Sequence, residues 1–232
     1  MLIFGLDTTS VTASASVAEI ENGRAIKYSL FTVKTELKHS ENIMLMIDEA
    51  LKLYGADIDD VDLFAVTTGP GSFTGVRIGV TTVKGLAFAK NKPCVDISSL
   101  EAVAYNQSTD SVICPLMDAR REQFYYAMFK WENDVLVRLF EDTADSFDNI
   151  VNKIDSHEKV VICGDGSDVF KKLYNGNSDL FYAKDSVREQ NALAVALCGY
   201  EKYINDKKIS CGELNPVYLR PSQAERNSKE NK

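Results

Sequence analysis

The chain has 232 residues, 45% of them hydrophobic, with 26 Lys and Arg against 34 Asp and Glu for a formal net charge of -8. That is enough for one large domain or two small lobes with a real apolar core, and it needs no metal or disulfide staple to fold. The acidic balance disfavours tight independent binding to a polyphosphate, because such affinity comes from Lys and Arg displacing counterions; RNA, if involved, would be gripped by another chain.

The N-terminal MLIFGLD carries no basic stretch or cleavage site, and no apolar run approaches the ~20 residues that span a bilayer, so neither export nor membrane insertion is expected. Cys94, Cys114, Cys163, Cys198 and Cys211 are odd in number, none sits as CxxC, and several fall in apolar runs. They read as buried reduced thiols of a cytoplasmic protein.

LIFGLD predicts a short strand ending in Asp7, followed by a tight turn at Thr8, Thr9 and Ser10. Two alternating stretches, TASASVAEI and AIKYSLFTV, predict antiparallel strands joined at Glu21, Asn22 and Gly23. Ser40 then reads as the N-cap of a helix running toward Gly55, with Glu41 in its first turn. Ile43, Ile47, Ala50, Leu51 and Tyr54 lie on one face of that helix, while Met44, Met46 and Leu53 extend the apolar surface beyond it. A helix apolar on two sides needs two neighbours, either within one large core or from a partner chain.

VDLFAVTTG predicts a buried strand, and the loop GPGSFTG feeds a second helix over 74–90. Gly69, Gly71 and Gly75 stand before a helix N-terminus, where unpaired amides attract anions, with Ser72 beside them. There is no Walker-type GK[ST], and Lys84 lies too far along the helix to serve as its lysine. A structural strand-to-helix turn is the preferred reading, and a phosphate cradle stays open. Val76, Val80, Val83 and Ala87 form one line of this helix, with Phe73, Ile78, Thr82 and Phe88 spread around it.

A strand and a helix start follow in NKPCVDISSLEAVAYN, giving the order of a mixed sheet with helices on its faces. A comparable order begins again after Asn106: a strand in SVICPLMDAR, a hairpin turning at Glu132, Asn133 and Asp134, and strand, glycine loop and helix in VVICGDGSDVF. Two lobes of related plan are therefore expected, over 1–106 and 107–222, with a disordered polar tail at 223–232. Asp118, Arg120, Arg121 and Glu122 are the densest charge cluster near a strand end, either a polar site between the lobes or a solvated turn; the turn is favoured for Arg121 and Glu122.

LDTTS, HSENIMLMIDEAL, GPGSFTGVRIGVTTVKGLA, SSLEA, MDARREQFYYAMF and PVYLRP together resemble the TsaB (YeaZ) family of bacterial tRNA threonylcarbamoyladenosine biosynthesis, over nearly the whole chain from Leu2 to Pro221. The resemblance implies an α/β fold of two RNase H-like lobes of the actin, sugar-kinase and heat-shock ATPase superfamily. It also implies a non-catalytic subunit that activates a paralogue, TsaD, in transferring threonylcarbamoyl to the adenosine beside the tRNA anticodon, with TsaE as a further partner and tRNA reached only through the complex.

In TsaD a helix motif H-x-E-G-H binds the catalytic metal. The matching positions here are Ser99, Leu100, Glu101, Ala102 and Val103, and neither serine nor valine replaces an imidazole, so no metal site and no catalytic residue is expected. His39 and His157 lie far apart and read as surface or capping residues. Where the superfamily has a glycine in its first phosphate loop, this chain has Thr9 within Asp7, Thr8, Thr9 and Ser10. Asp7, Thr8, Thr9, Gly71, Ser72 and Gly164 are the candidate nucleotide or phosphate contacts, with ATP or ADP expected at most at the complex interface.

The same resemblance assigns the two helices to a four-helix bundle with a second copy or with TsaD, through Met44, Met46, Ile47, Leu53, Phe73, Val76, Ile78 and Val80. The competing reading is an ATP-dependent small-molecule kinase or ATPase of the superfamily. A peptidase lacks support, since there is no G-x-S-x-G, no HExxH and no Cys-His couple.

Overall fold

The structure, a computed structural model, describes residues 1–34, 39–175 and 180–220. The expected tail at 223–232 lies outside them. The first lobe runs β1 (Leu2–Asp7), β2 (Thr12–Glu21), β3 (Arg24–Lys34), α1 (His39–Tyr54), β4 (Leu63–Gly69), α2 (Phe73–Lys90), β5 (Cys94–Ser98) and α3 (Ser99–Tyr105). The second runs β6 (Val112–Asp118), β7 (Gln123–Glu132), β8 (Val135–Ser146), α4 (Phe147–Ile154), β9 (Val160–Cys163), α5 (Ser167–Leu173) and β10 (Leu180–Tyr182), followed by α6 (Asp185–Arg188) and α7 (Ala192–Ile204). The sheets are ordered β3-β2-β1-β4-β5 and β8-β7-β6-β9-β10, so the two lobes repeat one plan without repeating residues. In each, three antiparallel strands are extended by two parallel ones, the expected mixed α/β architecture.

Both hairpins turn where Asn22 and Gly23, or Asn133 and Asp134, take positive φ, matching the right-handed twist of the strands they join. The central strands are apolar throughout because both faces are covered. Phe4, Leu6, Phe64 and Val66 point into a core under α1 and α2, while Ile3, Leu63 and Ala65 point into a second core under α7 and Ala102 of α3. Helix α3 is shared, since its Leu100, Val103 and Ala104 pack with Ile113, Ala127 and Phe129 of the second sheet.

Two expectations are corrected. Helix α1 begins at His39, so Ser40 is in its first turn rather than at its N-cap. The range 107–222 is not one lobe either: the second sheet ends at Tyr182, and α7 returns to lie on the first sheet against β1, β2, β4 and β5. Small residues let it approach. A Cβ on Gly5 would meet the Ala192 carbonyl at 2.3 Å, and the backbone of Ala192 is held by Ser14 and Ser16, whose hydroxyls respectively accept from its N–H at 3.0 Å and donate to its C=O at 2.8 Å. After α7 the chain stays on the first lobe, with Ile209 bridging Cys94, Leu214 buried in the core under α1 and α2, and the Val217 N–H donating to Thr68 O at 2.7 Å. Of the cysteines only Cys211 is partly exposed, and no helix among the described residues is long and apolar enough to cross a membrane.

A chain ending after Gln190 would leave one face of the first sheet uncovered. It is expected to lose the cooperative thermal transition of the full chain, followed by circular dichroism, and an unchanged midpoint would show α7 to be dispensable.

Candidate functional site

The turn after β1 and the loop before α2 are built against each other. Asp7 Oδ1 accepts from the Thr9 N–H at 2.8 Å and its hydroxyl at 2.7 Å, Thr8 Oγ1 donates to Gly75 O at 2.7 Å, and the Ser72 N–H donates to Thr9 O at 2.7 Å. Ser72 caps α2 by accepting from the Gly75 N–H. A Cβ on Gly71 would stand 2.3 Å from Thr9 O, on Gly75 2.0 Å from Thr8 O, and on Gly79 2.5 Å from Thr8 Oγ1. Thr8 and Thr9 are buried, and their carbonyl oxygens, which cannot donate to an anion, face Gly75, Gly71 and Ser72. Five of the six candidate phosphate contacts are thus brought together, but around one another; the sixth, Gly164, belongs to the second lobe, where a Cβ would meet Leu116 O at 2.2 Å. These residues do not fit a phosphate, and the glycines serve close packing.

The positions matching the TsaD metal ligands do not fit a metal. Ser99 and Val103 are fully buried, and Val103 packs against the second sheet. Among the described residues no group of three His, Cys, Asp or Glu is arranged to hold an ion.

Between the lobes runs a polar seam that the sequence reading missed. Residues 188–190 cross from one lobe to the other: the Arg188 carbonyl accepts from the Gly164 N–H at 2.6 Å, Glu189 accepts from Thr12 Oγ1 at 2.6 Å and pairs with Lys34, and Gln190 accepts from Ser10 Oγ at 3.0 Å. Burial pushes the Glu189 carboxyl up, but hydrogen bonds from Lys34 and Thr12 outweigh it and hold it below its usual range. Asp165 has the opposite balance. It is raised to about 7, chiefly by burial, with the charges of Glu189, Asp118 and Asp7 adding to the rise and a backbone hydrogen bond from Asp118 opposing it; its Oδ1 has no hydrogen-bond partner among the described residues. The available signals were the polar run REQN before an apolar helix and an acid between two glycines in GDG.

On the outer face of the first lobe, α1 buries Ile43, Met46, Ile47, Ala50 and Leu51, and α2 buries Val76, Val80, Val83 and Ala87. Four of the eight expected interface residues, Met46, Ile47, Val76 and Val80, are therefore core. Met46 follows Ile43 by three positions and so belongs to the inward stripe. Left outside are Met44 at 50% exposure, Leu45 at 60%, Leu53 at 66% and Phe88 at 77%, with Ile78 half-buried; Leu45 and Phe88 were not among the expected contacts. A groove of about 310 Å³ between the helices is lined by Met44, Ile47, Leu51, Ile58 and Leu86 together with charged Asp48 and Lys52. Phe73 is covered within the chain by Tyr218, whose ring stacks on it at 4.5 Å.

With this geometry in place, a model of the family TsaD, tRNA N6-adenosine threonylcarbamoyltransferase, matches residues 33–225. The chain belongs to the TsaD family. Within it, the full-length likeness is to TsaB. The chain is 27% identical to the tRNA threonylcarbamoyladenosine biosynthesis protein TsaB of Haemophilus influenzae, covering 95% of this chain and 94% of that one, and 28% identical to TsaB of Bacillus subtilis, covering 97% and 96%. The fold matches YeaZ from Pseudomonas aeruginosa with a TM-score of 0.78 at 20% identity, over 94% of this chain and 99% of that one.

Two outcomes are expected. Gly75→Ala forces the helix off the Thr8 carbonyl and lowers stability by roughly 1–3 kcal/mol, whereas Gly85→Ala, with nothing within 4 Å of the added methyl, raises it by about 0.5–1 kcal/mol in the same denaturant titration. For Asp165 the folded value lies above the unfolded one, so its contribution is fully present below the unfolded carboxyl range and is lost as pH rises toward 7. The melting temperature of the unaltered chain should fall relative to Asp165→Asn between about pH 4 and 7, and parallel curves would refute the assignment.

Proposed function

We propose that the chain is a non-catalytic, required subunit of the complex that transfers threonylcarbamoyl to the adenosine beside the tRNA anticodon, acting by binding and activating TsaD. Family membership and full-length likeness to TsaB place the chain in tRNA threonylcarbamoyladenosine biosynthesis. The observation that carries the finer reading is the pairing of a metal-ligand helix without its imidazoles, buried on both faces, with an exposed apolar surface on α1 and α2. Chemistry is missing where the family keeps it, and surface for a partner is present where a monomer has no use for it.

A stable interface on this face would remove on the order of 1,200 to 2,000 Å² from water, with Leu53, Phe88 and Leu45 as anchors and flexible Met44 adapting to either of two partners. We take a second copy of the chain and TsaD to compete for it, with TsaE joining the pair and ATP or ADP, where bound, held at the boundary rather than by the closed loop of this chain. The kinase reading is disfavoured by that same closed loop.

The test is threonylcarbamoyladenosine formation on tRNA with cognate TsaD and TsaE, the chain present or omitted. Product only when it is present, and none from the chain alone, is the expected result; equal product without it removes the reading. Leu53→Glu and Phe88→Glu should abolish co-elution with TsaD and with a second copy while leaving the circular dichroism spectrum of the folded chain unchanged. Met46→Glu should unfold the first lobe instead, because it places a charge in the core.

A further inference from the structure

Asp165 stands where the two lobes meet, in the loop between β9 and α5. Its backbone is fixed on both sides: the Gly164 N–H donates to Arg188 O of the crossing segment at 2.6 Å, and the Gly166 N–H donates to Leu116 O of β6 at 2.9 Å. The residue is partly exposed, but its Oδ1 is buried and takes no hydrogen bond from the described residues. Carboxyl groups close on it from three elements: Asp7 at the end of β1, Asp118 at the end of β6 and Glu189 in the crossing segment. The cations beside the seam are turned to other partners. Arg188 pairs with Asp168 at 2.7 Å, Asp185 at 3.4 Å and Glu189 at 3.6 Å, and Lys34 pairs with Glu189.

We propose that Asp165 is a pH-sensitive latch between the lobes: neutral, it lets the seam close, and ionised, it parts the β9–α5 loop from the crossing segment and the end of β1 while α3 keeps the lobes joined. A poorly compensated charge in surroundings of low dielectric is costly, and like-charged neighbours add to the cost. Parting lets water reach the carboxylate and takes it away from Asp7 and Glu189. Ser10, Thr12 and Lys34 hold Gln190 and Glu189 on the first lobe, so the crossing segment stays there as the loop moves. The Gly164 hydrogen bond to Arg188 O and the Arg188–Asp168 pair are then what breaks. The contact of Leu100, Val103 and Ala104 with the second sheet involves no carboxylate, so it holds in either protonation state.

The closed seam raises Asp165 from the ordinary carboxyl value of 3.8 to about 7. Opening therefore releases a proton. The closed form is fully favoured below the ordinary carboxyl range, loses about tenfold per pH unit as pH rises toward 7, and loses no more above it.

The experiment is hydrogen exchange of the full chain between about pH 5 and 8, read by mass spectrometry and corrected for the intrinsic pH dependence of exchange. It compares segments 163–168 and 188–191 with the central strands 2–7 and 112–118. The expected result is that corrected exchange of the two seam segments rises about tenfold per pH unit up to about pH 7 and then levels, with the central strands better protected throughout. Asp165→Asn, which keeps the shape and stays neutral, should hold the seam protected without pH dependence. Asp118→Asn removes a neighbouring charge at an exposed position and should move the levelling point to lower pH, which keeps the test valid if Asp165→Asn disturbs the fold. Corrected exchange that does not change with pH, seam segments that exchange in step with the central strands, an Asp165→Asn chain that keeps the pH response, or an unmoved levelling point in Asp118→Asn would each overturn the proposal. Since no partner is present, the outcome does not depend on the subunit reading.

Discussion

Helix α2 approaches the turn after β1 so closely that Gly71, Gly75 and Gly79 each stand where a side chain would collide with Thr8 or Thr9. Much of the first lobe depends on that contact. It closes the space in which a phosphate would be cradled, fixes the rotation of α2, and so determines that Val76, Val80, Val83 and Ala87 are spent on the sheet while Phe88 is left outside. The glycine-rich sequence that suggests an anion site is taken up here by close packing, with the Thr9 and Thr8 carbonyls set against Gly71 and Gly75.

A second constraint is that α3 is packed between the two sheets, with only its Glu101 and Tyr105 partly exposed. Leu100, Val103 and Ala104 are committed to the second sheet and Ala102 to the first. A metal-binding helix must turn two imidazoles toward an open cavity. Here the helix is a packing wedge between lobes, and the polar seam beside it, with Asp165 raised toward neutrality and Glu189 held charged by Lys34 and Thr12, joins the lobes through hydrogen bonds as well as apolar contact.

Strand and helix order through the first lobe, and through β6 to β9 and α5 of the second apart from α4, was legible because those strands carry a continuous or alternating apolar pattern and each hairpin a turn residue suited to positive φ; the short α4, β10 and α6 were not read. What was not legible depended on tertiary contact. Nothing in ALAVALCGY distinguishes a helix that stays with its own lobe from one that returns to the other, since the small residues that permit the return matter only against Gly5, Ala65 and Val95. The outward surface of α1 was half-legible. Leu53 and Met44 were found as apolar residues off the main stripe, but Met46, grouped with them, stands three positions after Ile43 and belongs to the buried stripe. Asp165 was invisible as a titrating group because burial, not residue type, sets its behaviour.

The return of α7 also orders events in time. The second lobe is an insertion between α3 and α7, so the first sheet cannot cover its second face until residue 204 has left the ribosome, long after its own strands have been made. At about 5–20 residues per second, the intervening hundred or so residues take roughly 5 to 20 s. Throughout that interval the middle of the chain can fold while the beginning waits, which reverses the usual N-to-C progression and leaves Ile3, Leu63, Ala65 and Ile97 as nascent surface. The earliest-made strands are thus the last to be sealed.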